Sequence, residues 1–288
     1  MLIGMGLGLV AHQIWEANLI WLPVWALAMP VLLLLGVSVY GSILARIGWS
    51  RAGLQALLGE FFTILVYFLW RQPSAMHPPV YLPAPAAPAA STQLPIVLVH
   101  GFLCNYRIWH AVIPILQKNG HGVMPVNLEP VFSSIDAYAS IIEHAVQKAL
   151  HQSGQQKVIL IGHSMGGVAI RAWMRQHGTD RVAGVITLGS PHQGTVVSRK
   201  AISPNARQMG WRSPWLRTLA AQEDASIRAL FRIAVTAQDS IVFPQKLQSL
   251  PGVEAQVFSG MGHLQLCVNA TVLAWMMQQI REIQQHPA

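Results

Sequence analysis

Lys157-Val158-Ile159-Leu160-Ile161-Gly162-His163-Ser164-Met165-Gly166-Gly167-Val168-Ala169-Ile170 passes from an apolar run of strand character, through a serine between glycines, into a run of helical character. That order decides the fold. A G-x-S-x-G pattern between a strand and a helix predicts a turn so tight that the serine backbone is strained. Side chains two positions to either side would clash, which accounts for Gly162 and Gly166. The turn lifts the Ser164 hydroxyl above the sheet edge, and the helix behind it aims unpaired backbone N–H groups at the same place.

Working outward, strands and helices alternate. Strand character recurs at Ile96 to His100, Val123 to Asn127, Val182 to Leu188, Ile233 to Ala237 and Ala255 to Phe258. Helical spacing recurs at Tyr106 to Lys118, Ser134 to Gln152 and Ala270 to Ile283. The alternation predicts an α/β fold, a mainly parallel sheet with helices on both faces, whose site lies at the carboxyl ends of the strands.

A serine hydroxyl keeps its proton at neutral pH and needs a base, which in turn needs an orienting carboxylate. A serine elbow of this kind takes its partners in the chain order serine, acid, histidine. Beyond the penultimate strand only His263 and His286 remain; His286 stands in a polar tail, whereas His263 follows the last strand in Ser259-Gly260-Met261-Gly262-His263. The acids between them are Asp180, Glu223, Asp224, Asp239 and Glu254, of which Asp239 alone follows a strand end. Ser164, Asp239 and His263 are therefore the candidate nucleophile, acid and base. The oxyanion donors expected beside them are the backbone N–H groups of Met165, after the nucleophile, and Phe102, after Gly101 at the end of the first strand. His100 and His163 read as structural histidines.

Three segments, Pro95-Ile96-Val97-Leu98-Val99-His100-Gly101-Phe102, Gly162 to Gly167, and Leu188-Gly189-Ser190-Pro191-His192-Gln193-Gly194-Thr195, together resemble bacterial triacylglycerol lipases and esterases of the α/β-hydrolase superfamily. The resemblance covers about residues 93 to 285. It implies the same site residues, a serine esterase or lipase acting on lipid or other ester substrates, and a cap or lid over about residues 195–229. Thioesterase, amidase and acyltransferase chemistry remain as alternative uses of the same groups. Some secreted relatives bind calcium; with only four aspartates in this chain no metal or other cofactor is expected.

The chain departs from those relatives at its start. Hydrophobic residues make up 52% of its 288 residues and charged ones 10%, against about 25% in soluble domains. Residues 1–70 carry only Glu16, Arg46, Arg51 and Glu60 as charged side chains, and Ala17 to Ala45 carries none. That run exceeds the roughly 20 apolar residues that cross a bilayer, and Ala52 to Trp70 forms a second. There is no basic leader such as a signal peptide needs. The expected organisation is a membrane anchor of two or three helices over residues 1–70, a Pro/Ala-rich linker over 71–92, and an α/β-hydrolase domain over 93–288. Met1 to Trp15 reads as a short extra span or an interfacial segment. Arg46 and Arg51 in the loop between the runs point to a cytoplasmic loop, with the hydrolase domain on the non-cytoplasmic side of a bacterial inner membrane.

The net charge of +8 lies mostly beyond residue 150. Arg199, Lys200, Arg207, Arg212 and Arg217 share a segment with Trp211 and Trp215, read either as a contact with anionic lipid or as a solvated helix face. No nucleic-acid motif accompanies it. Cys104 and Cys267 fit one disulfide or two buried thiols.

Overall fold

The computed structural model describes residues 22–75, 77–84 and 93–286. The expectation of an extra segment at Met1 to Trp15, and most of the Pro/Ala tract, lie outside these residues.

Six parallel strands form one sheet: β1 (Ile96–Val99), β2 (Val123–Pro125), β3 (Val158–His163), β4 (Val182–Leu188), β5 (Phe231–Thr236) and β6 (Ala255–Phe258), in the order β2-β1-β3-β4-β5-β6. The central strands are apolar throughout because both faces are covered. Alternation sorts their side chains between two cores. Val97, Val99, Val158 and Leu160 point to one face and Ile96, Leu98, Ile159 and Ile161 to the other. Helices α4 (Ala139–Ser153) and α5 (Met165–His177) contribute to the first core, and α3 (Val112–Lys118) and α9 (Ala270–Gln285) to the second. Between β4 and β5 the expected cap segment contains the short helices α6 (Pro204–Gln208), α7 (Pro214–Ala221) and α8 (Ala225–Ala229).

Ahead of the sheet stand α1 (Leu22–Leu44) and α2 (Arg51–Val66), the latter continuing as a π-turn over Tyr67–Arg71. Ser50 caps α2 by accepting from Gly53 N at 3.1 Å. Val24–Leu44 and Arg51–Arg71, with mean hydropathies of 2.1 and 1.7, are long and apolar enough to cross a membrane. Yet α2 is not surrounded by open space. Ile64 and Tyr67 belong to the second core beside the sheet. Asn105 N donates to Tyr67 Oη at 2.8 Å, and Gln72 Nε2 donates to Leu103 O at 2.9 Å. Its opposite face leaves Leu54, Leu58, Phe62, Val66 and Trp70 exposed, a stripe at helical spacing. The middle of the expected linker is also engaged, since Leu82 and Val123 exchange two backbone hydrogen bonds of 2.8 Å.

Candidate active site

Ser164 is reached directly from β3, which runs through His163 before the chain reverses into α5 at Met165. Its φ of 54° and ψ of −125° lie in a region costly for any residue with a Cβ. Backbone packing enforces this. A Cβ on Gly166 would sit 2.1 Å from Val99 O, and one on Gly162 would sit 2.5 Å from Gly167 N. Gly101 presses equally close: its Cβ would lie 2.8 Å from the Ser164 Cβ. The loop after β1 therefore passes over the elbow at Gly101, the residue before Phe102, and Met165 opens α5 directly after the serine.

Asp239 lies just past β5 and is fully buried. Its Oδ1 accepts from Ile241 N at 2.9 Å and Val242 N at 2.7 Å; its Oδ2 accepts from Gln248 Nε2 at 3.1 Å and faces His263 Nδ1 at 2.7 Å. With that contact Nδ1 carries a proton and Nε2 is left to act as acceptor. Burial pushes the His263 pKa down, but the charge and hydrogen bond of Asp239, with the charge of Glu60, more than reverse this, and it stands above the ordinary histidine value.

The two halves meet at the end of β4. Ser164 N donates to Leu188 O at 2.9 Å, and a Cβ on the next residue, Gly189, would lie 3.1 Å from His263 Cε1. The rings of His163 and His263 are 4.7 Å apart, and His163 Nε2 lies 3.3 Å from His263 O. Burial, then the neighbouring His263, holds His163 well below the usual pKa, so it is a neutral spacer. His100 is structural as expected. Leu128 N donates to its Nε2 at 2.9 Å and its Nδ1 lies 2.8 Å from Gly101 O; burial lowers its pKa to about 4.

The other acids are occupied elsewhere. Glu223 forms a buried pair with Arg171 at 2.6 Å, Asp224 caps α8, and Glu254 is exposed. Two side chains of the Trp/Arg segment are engaged within the protein. Trp215 Nε1 donates to Asp136 at 2.7 Å, and the Arg207 guanidinium turns back onto Ile202 O. Cys104 and Cys267 are both free and buried.

Two partners were not singled out from the sequence. Gln248 carries no local signal, since its role depends on a turn nine residues from Asp239. Glu60 did carry one: a lone carboxylate in a long apolar run marks a functional position by default.

A family model described as the alpha/beta hydrolase fold matches residues 95–263. The chain belongs to this family. A triacylglycerol lipase of Burkholderia plantarii is 34% identical over 125 residues, covering 39% of this chain and 34% of that protein. A pyrethroid hydrolase of Sphingobium wenxiniae is 29% identical over 134 residues, covering 39% of this chain and 48% of that protein. The matched stretch thus spans less than half the length of either. Among solved structures, the mature form of the Bacillus licheniformis lipase BlEst2 superposes with a TM-score of 0.58 at 16% identity, covering 70% of this chain and 98% of that one. Aspergillus fumigatus lipase B gives 0.60 at 16% identity, covering 69% and 55%. At this identity the likeness is one of fold.

Proposed function

We propose that this α/β-hydrolase is a membrane-associated carboxylic ester hydrolase working through an acyl-serine. The observation that carries the reading is the buried 2.7 Å contact of Asp239 with His263 at the sheet end where Ser164 stands strained. His263 Nε2 takes the Ser164 proton as Oγ attacks the ester carbonyl. The N–H groups of Phe102 and Met165 receive the oxyanion. The C–O bond to the alcohol then breaks, and the alcohol leaves with the proton held on His263. Water, deprotonated by the same imidazole, attacks the acyl-serine, releases the carboxylic acid and returns the proton to Ser164. Asp239 fixes the tautomer and stabilises the imidazolium. Thioester, amide or acyl-transfer chemistry is the alternative that the same groups allow.

A lipidic acyl chain is supported by exposed apolar side chains on the loops that follow β1 and β2. Phe102 packs on Phe132 at 6.0 Å, and Leu103, Val131 and Phe132 are exposed. The names of relatives, triacylglycerol lipase among them, point the same way. We assign residues 195–229 as the cap. A fluorophosphonate probe on the intact chain tests the nucleophile: labelling is expected and is lost in Ser164→Ala. A series of p-nitrophenyl esters tests the substrate, with rates rising toward longer acyl chains; a peak at acetate would overturn the lipid assignment while leaving ester hydrolysis.

Membrane association rests on α1 and α2. The topology expected from the sequence has α2 crossing the bilayer and the hydrolase domain beyond it. Here the inner face of α2 is taken by the hydrolase domain from Glu60 to Gln72, about 18 Å of helix at 1.5 Å per residue. A crossing α2 would carry that polar domain surface into a hydrocarbon core only about 30 Å thick. We infer that α2 instead lies along one leaflet, with Leu54, Leu58, Phe62 and Val66 toward lipid. Proteolysis of sealed vesicles separates the two arrangements. In-plane seating leaves the Arg46–Arg51 loop and the hydrolase domain on the same face; their appearance on opposite faces would restore the crossing and the non-cytoplasmic placement of the domain.

A further inference from the structure

Glu60 takes no part in the chemistry above, yet it is buried against the loop that carries the base. It stands in α2, more than 200 residues before its partners. Its Oε1 accepts from Leu264 N at 2.9 Å, and its Oε2 accepts from Leu264 N at 3.0 Å and Gln265 N at 3.2 Å. These amides open the 3-10 turn Leu264–Cys267, whose N-cap residue is His263 and whose cap makes no side-chain hydrogen bond of its own. A carboxylate at that position does what an N-cap side chain does elsewhere, satisfying amides that the turn leaves unpaired.

The fit around it is close. A Cβ on Gly262 would fall 2.5 Å from the Glu60 Cβ, and one on Gly59 would fall 2.2 Å from Gln265 Nε2. Gln265 Oε1 in turn accepts from Gly262 N at 2.8 Å. His263 is thus held at three points: its ring by Asp239, its carbonyl by His163, and the amide after it by Glu60. Docking a helix does not call for such a group. Among the described residues Glu60 has no cationic partner, and an apolar side chain would bury at lower cost.

We propose that Glu60 is a positioning residue for the catalytic base, so that the apolar hairpin completes the active site as well as attaching it to lipid. The proposal rests on the reading of His263 as base. The carboxylate sets the turn on which His263 sits. Burial raises its pKa to about 7; in its ionised form it adds a second negative charge, beside that of Asp239, near the imidazolium formed when Ser164 loses its proton. The titratable groups facing His263 are Asp239, Glu60 and His163; those facing Glu60 are His263, Asp239, Cys104 and Cys267.

The test compares Glu60→Gln with wild type in the full chain in detergent micelles, on a soluble p-nitrophenyl ester. Glu282→Gln, which removes an exposed carboxylate in α9, is the control. For Glu60→Gln kcat is expected to fall about tenfold or more with KM within about twofold, the pattern of a loss felt in the transition state. The acid limb of kcat/KM should move to lower pH, because an imidazole that loses a negative neighbour holds its proton less tightly. A change confined to folding would lower the active fraction without moving that limb. A folded Glu60→Gln with wild-type kcat and an unmoved limb overturns the proposal. If that variant does not fold, Gly262→Ala displaces the carboxylate from the other side; there too a lower kcat is expected, and a wild-type kcat and pH profile overturn the proposal. His263→Ala keeps the two readings apart. If it retains wild-type turnover, the assignment of the base has failed, whatever Glu60 does.

Discussion

The Ser164 half of the site and the Asp239–His263 half are built by different forces. The serine is placed by backbone against backbone: Gly162 on Gly167, Gly166 on Val99, Gly101 on Ser164 itself. These contacts are steric and leave no room for a methyl group. The acid and base are placed by hydrogen bonds: Ile241, Val242 and Gln248 donate to Asp239, and Glu60 accepts from the amide of Leu264, the residue after His263. Such bonds weaken by degrees, each contributing about 1.5–3 kcal/mol where a charge takes part. The nucleophile half should therefore fail all at once, and the acid–base half in steps.

The largest effect is expected at Gly166→Ala. Its new methyl carbon would lie 2.1 Å from Val99 O, and both partners are backbone. Probe labelling should vanish together with the cooperative melting transition; a folded, fully labelled variant would break the comparison. Asp239→Asn should come next. The carbonyl of Asn can still accept from Ile241 and Val242, so the melting temperature should hold within a few degrees. The wrong histidine tautomer should lower kcat by about 10⁴-fold, read by stopped turnover with an intact circular dichroism spectrum. Gln248→Leu removes one donor from Asp239 Oδ2 and should lower kcat by about tenfold, since about 1.4 kcal/mol is one decade in rate. Loss as deep as in Asp239→Asn would show that this half is not graded. The smallest effect is a shift. His263 must be neutral to accept the serine proton, and its pKa is raised. The rate should therefore fall as pH drops through a value above 6.5, the ordinary histidine pKa, and Asp239→Asn should carry that limb downward.

The same contrast explains what could be read from the sequence. The elbow, β1 with Gly101, and the placement of Asp239 and His263 after strand ends all follow from local rules, and they stand where those rules put them. Tyr106 to Lys118, expected as one helix, is instead a 3-10 turn (Tyr106–His110) followed by α3. Pro114 accounts for the break, because a helix restarting at Val112 keeps the missing N–H within its first turn. β2 closes at Pro125, short of Asn127, whose Oδ1 accepts from Tyr106 N at 2.9 Å. Gln248 and Glu60 depend on where distant chain segments come to lie, which hydrophobic periodicity does not encode. The apolar run at 52–70 was legible as an apolar helix, but not as one with a domain on its inner face, because burial against protein and burial against lipid select the same residues.

Leu82 has a consequence for solubility. Its two backbone hydrogen bonds to Val123, with Gln117 Nε2 donating to Pro83 O at 2.9 Å, cover the outer side of the terminal strand of the sheet. An uncovered strand edge is a template on which a second molecule can pair. Residues ahead of the Pro/Ala tract thus act as a guard rail, and a chain trimmed to the family-matched region would expose a sticky seam as well as shed its hairpin.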